Sequence, residues 1–281
     1  MVPSNSGSGL RPVWWFYAIT LGLAVLTALA APWLGNLALM LTMVTPTVGA
    51  VLMLAVIAPE GGLRHSLSAL GLTRPGWRGW LPAIILPTGV LVGGTLLMGA
   101  VGLTALGPSE TYLSFIDTAL NLIVMLIIGT VLATFEEIGW RGYLLPRTRS
   151  VGIVGGMLLV GFLHGVWHLP LLLGTDLYHN SGSPFLVVPM FLTTLTLAGV
   201  LYGWLRMWSG SIWPVALAHA AVNTAWGFSD SIVQTRTPMV TEYIGGESGV
   251  LMILGLVILD IFLVRSILRL PAKPLTAPEA T

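Results

Sequence analysis

The 281-residue chain contains no cysteine, which excludes disulfides, thiolate nucleophiles and thiolate-held metals. Charge is almost as scarce. Asp, Glu, Lys and Arg make up 8% of the residues, against roughly a quarter in a soluble domain. No basic cluster of the kind that grips nucleic acid occurs, so nucleic acid is not an expected partner. A net charge of +1 gives no bias toward acidic or basic partners. There is no internal repeat, which excludes solenoids and propellers. What is left is hydrophobic: 55% apolar residues and a mean hydropathy of +0.89 describe an integral membrane protein.

Eight apolar runs are long enough to span, at residues 14–34, 36–58, 81–106, 118–134, 151–173, 185–207, 211–228 and 250–268. Ala28-Leu29-Ala30 resembles a signal-peptidase site, but the run is too long for a leader and a second follows at once, so a retained helix is expected. The stretch 59–80 carries Arg64, Arg74 and Arg78 and reads as an amphipathic connector along the interface. The expected fold class is all-α: a polytopic membrane protein of about eight transmembrane helices enclosing an intramembrane polar cavity. It divides into a flexible tail (1–12), one transmembrane domain (13–270) and a C-terminal tail (271–281). Gly152 with Gly156, and Gly199 with Gly203, are spaced for close helix contacts.

Eight spans leave both termini on one face. Arg11, Arg64, Arg74, Arg78, Arg147, Arg149, Arg206, Arg265, Arg269 and Lys273 fall on that face and Arg236 alone falls opposite, so the termini are expected to be cytoplasmic in a multi-pass cell-membrane protein. The lipid bilayer is the first partner; the oligomeric state is left open.

Against this background the segment 135–146, F-E-E-I-G-W-R-G-Y-L-L-P, stands out, because charges at the end of an uncharged run in lipid mark function. Glu137 and Arg141, four apart, can pair along one helix face, while Glu136 projects about 100° away. The other intramembrane polar residues are His164, His168, His219, Asn223 and Asp260. Counted at ~1.5 Å per residue from the arginine-bearing face, Glu136 lies roughly 16 Å deep, His219 roughly 12 Å and Asn223 roughly 18 Å. His168 would lie roughly 27 Å deep on a straight helix, and joins them only if residues 150–155 bend along the interface first. With that bend, Glu136, His168 and His219 are expected in one polar cavity entered from the cytoplasmic half.

Three motifs in order, E-E-I-G-W-R, G-V-W-H-L-P around His168 and H-A-A-V-N, resemble those of the CPBP family, which comprises the type II CAAX prenyl endopeptidases and Abi-type, bacteriocin-processing membrane proteases. The similarity covers residues 46–228. One position departs: the family's usual Phe four residues before the second-motif histidine is His164 here. The resemblance implies an intramembrane endopeptidase acting on membrane-associated substrates, prenylated CAAX-type or leader-peptide proteins. In it Glu136 and His168 activate water, while His219 and Asn223 stabilise the oxyanion.

The residue chemistry agrees with that implication. Peptide hydrolysis needs a base and donors aimed at the tetrahedral oxygen, and Asn223 sits one turn after His219. Zinc is an alternative activator, with Glu136, His168 and His219 as candidate ligands and His164 and His168 suitably spaced as a pair. Glu137 and Arg141 are expected to support the site as an ion pair. His164, Trp140 and Trp167 are candidate walls of a substrate pocket, His164 being read as a hydrogen-bonded core residue. Asp260 belongs to no motif. The competing reading is a non-catalytic membrane scaffold or immunity protein whose polar core only supports the fold.

Overall fold

A computed structural model describes residues 10–57, 62–107, 114–177, 182–234 and 237–269. The long helices in these segments are α1 (Arg11–Leu34), α2 (Leu37–Ile57), α4 (Trp80–Ala100), α5 (Phe115–Glu137), α6 (Ile153–Gly174), α7 (Pro184–Ser209), α8 (Trp213–Ile232) and α10 (Val250–Arg269). Two short ones, α3 (Gly62–Leu70) and α9 (Pro238–Val240), lie in connections. Seven of the long helices are apolar enough to cross a membrane. The eighth, α8, carries His219, Asn223, Ser229 and Asp230. It can be more polar because it packs against α4, α5 and α7 rather than lipid. The fold is that of an all-α polytopic membrane protein. The tails expected at 1–12 and 271–281 lie outside the described residues except that α1 begins at Arg11.

Local chemistry sets the helix ends. Ser114 caps α5 by accepting the Asp117 N–H at 3.1 Å, with the Asp117 carboxylate in the positive first turn. Pro184 opens α7 and Gly210, at φ +70°, closes it. The outward face of α5, including Ile123, Ile127 and Val131, is exposed and suited to lipid. Only its last turn is buried, so α5 delivers Glu136 and Glu137 from the rim into the interior. At the far end of α4 and α8, β1 (Ala105–Leu106) and β2 (Val233–Gln234) pair antiparallel.

After Glu137 the chain changes pitch. Ile138–Leu144 is a π-helix, with the Leu145 N–H bonded to the Trp140 carbonyl five residues back. From Gly139 to Leu144 it is buried: Trp140 meets Phe16 edge-on at 5.7 Å and Trp167 at 5.6 Å, and Tyr143 lies 5.0 Å from Phe16. The connector expected along the interface is tied to the bundle. Arg206, buried on α7, donates to the Ala69 carbonyl at the C-terminal end of α3 at 3.0 Å, and Trp213 donates to Leu72 at 3.1 Å.

Close helix approaches occur at glycine, at other pairs than the spacing alone indicates. Gly199 and Gly203 do face α6, meeting Gly161 and Met157. Gly152 instead precedes α6 at φ +81°, and Gly156 meets Thr148. The bend expected over residues 150–155 is shorter than that: a 3-10 turn at Arg149–Val151 precedes α6, which already starts at Ile153. A Cβ at Gly139 would collide with the backbone of Pro46 on α2, its carbonyl oxygen lying 2.7 Å away. Gly139→Ala is expected to lower stability by about 1–3 kcal/mol, as overpacking does, visible in a thermal melt in detergent; Gly89→Ala, which meets nothing, is the control.

Candidate active site

Glu136 and Glu137 are adjacent in sequence and divergent in space, 1% and 0% exposed. Glu137 accepts two bonds from Arg141 Nη1, each at 3.0 Å, and one from His219 Nδ1 at 3.0 Å. The i,i+4 pair expected from spacing is thus formed, and it extends to a triad across α5, the π-helix and α8. Glu136 turns the other way, to His164 Nε2 at 2.9 Å.

His164 sits between Glu136 and Arg141. Its Nδ1 lies 3.3 Å from Arg141 Nη1, its ring stacks on Trp140 at 5.0 Å, and the His168 ring stacks on it at 5.1 Å. A guanidinium only donates, so Nδ1 accepts, Nε2 carries the proton, and the Nε2–H donates to Glu136. This is more than a pocket wall. The level of Glu136 is matched by His164, and His168 lies one turn further along α6, which accounts for the extra depth found for His168 by counting. Trp167 is anchored by its indole N–H on Thr45 at 3.0 Å. The Arg141 guanidinium also lies 4.7 Å over the Tyr202 ring, which stacks on His219 at 5.9 Å.

A cavity of ≈ 230 Å³ brings Glu136, His164, His168, His219 and Asn223 together. Trp167 lines it too; Trp140 stands behind His164, and Asp260 lies outside the lining, its two oxygens lacking hydrogen-bond partners among the described residues. Glu136, His164 and His168 each offer a ligand atom within 4.8 Å of the others. His219, turned onto Glu137, is not in that group.

The cavity lining extends toward the end opposite the expected entry. From Glu136 the cavity runs past Leu171, Leu39 and Ser248, toward the end where α6 finishes and α2 and α10 begin. The arginine-bearing end is filled by Trp140, Tyr143 and Leu144, all 0% exposed. Depth counting locates polar groups but not which end bulky side chains close, and the π-helix folds its aromatics into the near one.

No curated protein matches the chain. A family model described as type II CAAX prenyl endopeptidase Rce1-like matches residues 118–225, a span that holds Glu136, Glu137, Arg141, His164, His168, His219 and Asn223. Over those residues the chain is similar to the Rce1-like family of type II CAAX prenyl endopeptidases, and the matched span lies within a polytopic fold of eight long helices.

Proposed function

We propose that the protein is an endopeptidase that cuts membrane-associated protein substrates with Glu136 as the general base. The observation that carries this reading is the Glu136–His164–Arg141 chain of contacts, which fixes one carboxylate oxygen and leaves the residue on the cavity wall. Glu136 takes a proton from water, and the hydroxide formed adds to the scissile carbonyl carbon. The tetrahedral oxygen accepts from His219 Nε2–H and the Asn223 amide, one turn apart on α8, while Glu137 faces the protonated imidazole at Nδ1. Glu136 then passes its proton to the departing nitrogen as the C–N bond breaks, leaving a carboxylic acid and an amine, which exchange the remaining proton to give a carboxylate and an ammonium group. Both nitrogens of His164 are occupied by protein partners, so His164 is a positioning residue and His168 is the imidazole beside the water.

The donor set fits a metal poorly. Coordination through His164 Nε2 would move its proton to Nδ1, against the Arg141 guanidinium at 3.3 Å, where metal-bound histidines ordinarily donate to an acceptor. The proposed chemistry is therefore metal-free. The positive-inside rule supports a cytoplasmic location for the arginine-bearing face.

The test is cleavage of membrane-anchored peptides by purified protein in liposomes, followed by mass spectrometry. A metal-free base predicts unchanged turnover after exhaustive chelation; loss of activity restored by zinc would overturn that part. Asn223→Ala is expected to lower kcat about 10²–10³-fold, the effect of removing one oxyanion donor. If no peptide bond is cut by the wild-type protein, the scaffold reading gains.

A further inference from the structure

A second cavity, ≈ 260 Å³, adjoins the first at the end opposite the arginines. It is enclosed by the last turns of α4 and α8 and the segment leading into α10, and Glu247 and Ser248 line both cavities. Three carboxylates, Asp230, Glu242 and Glu247, line this vestibule, and none of its described lining residues is Lys, Arg or His. The whole chain is polarised the same way. Among the described residues, Asp117, Asp176, Asp230, Glu242 and Glu247 occupy this end, and every arginine except Arg141 lies toward the other. Arg236, outside the described residues, is the single cation the sequence assigns here.

The junction carries its own sign of a ligand. Ser248 is 8% exposed, and its hydroxyl has no hydrogen-bond partner among the described residues. A buried hydroxyl without a partner is costly, whereas one at a neck between two cavities is satisfied by a peptide group threaded through it.

We propose that substrate reaches Glu136 from the acidic face, through this vestibule, as an extended segment carrying a cationic group, a Lys or Arg side chain or a free α-amine. A half-enclosed cleft lined by one sign of charge concentrates the opposite sign, and its low-dielectric walls strengthen the effect. Glu136 lies beyond the neck, so the residues near the scissile bond pass Ser248 while the cation remains with Asp230 and Glu242. With the arginines cytoplasmic, the segment comes from the extracytoplasmic side. The assignment of a catalytic role rests on the reading above, and the test is chosen to be independent of it.

The chain has no cysteine, so one introduced thiol reports on one place. In Ser248→Cys, a cationic and an anionic methanethiosulfonate of similar size, both membrane-impermeant, are compared on intact cells and on inverted vesicles. The thiol is expected to react from outside intact cells, and about tenfold or more faster with the cationic reagent. That ratio should fall toward one in Asp230→Asn/Glu242→Gln. Leu177→Cys, on the vestibule wall, repeats the measurement should Ser248→Cys fold poorly. Reaction only in inverted vesicles would overturn the direction of entry, and equal rates for the two reagents would overturn the cation. Neither readout needs turnover, so an inactive but correctly labelled protein would refute the protease reading and leave the vestibule standing.

Discussion

Glu136→Gln is expected to fold like the wild-type protein and to lose cleavage by about 10²–10⁴-fold, the range for a general base. The substitution is chosen from the contacts. His164 donates its Nε2–H to Glu136, and a glutamine carbonyl accepts the same bond at the same place, so α5 and α6 keep their tie. What is removed is the capacity to take a proton from water. Unchanged thermal stability in detergent with lost turnover is the predicted pair of results. Wild-type cleavage by Glu136→Gln would show that the carboxylate has been given the wrong role. A second variant, His164→Phe, removes the donor and takes Glu136 out of position. It should lower kcat with little change in KM, whereas a purely structural histidine would lower the melting temperature and the amount of active protein without altering kcat per folded molecule.

The largest stability effects are expected at Glu137 and Arg141. Both are fully buried, and each is the other's principal partner. Removing one leaves an uncompensated charge inside the protein, at about 3–5 kcal/mol, so Glu137→Gln and Arg141→Gln should each express or melt poorly. The double variant removes both charges and should be more stable than the worse single. If it is less stable than either, the pair is not the unit that matters. Glu137 also holds His219, and glutamine keeps an acceptor for that Nδ1–H. The double variant is therefore expected to regain fold more fully than activity, because His219 then faces an amide instead of a carboxylate.

The legible and illegible parts of the molecule divide along physical lines. Hydrocarbon imposes a length and a composition on any helix that crosses it, so the eight helices could be read to within a few residues. The Glu137–Arg141 pair was legible because neighbours on one helix follow from spacing alone. Contacts between helices depend on rotation about each axis, which a single sequence with no polar stripe does not report. His164 was accordingly read as a core histidine and a pocket wall, while it lies against Glu136. The one available signal was its position four residues before His168, at the place where the sequence departs from the family pattern. His219 was placed near the site by its motif, but its tie to Glu137 was not foreseen. Arg206 was counted with the surface arginines, although it is buried and holds the end of α3. The aromatic packing at the arginine-bearing end was illegible for the same reason: hydropathy does not say which way Trp140 and Tyr143 point.

The π-helix at Ile138–Leu144 gives the site an unusual response to the loss of one codon. A π turn accommodates one residue more than the α turn it replaces. In a regular α-helix a deletion turns everything after the gap by about 100° and draws it back by ~1.5 Å. Deleting Ile138 would instead let the segment relax to ordinary α pairing, so that most of the rotation is absorbed. Arg141 would then stand three residues from Glu137, a spacing that still faces it along an α-helix. A single-residue deletion here is thus expected to spare the ion pair, whereas the same deletion in the regular part of α5 would swing its lipid-facing side round by the full amount.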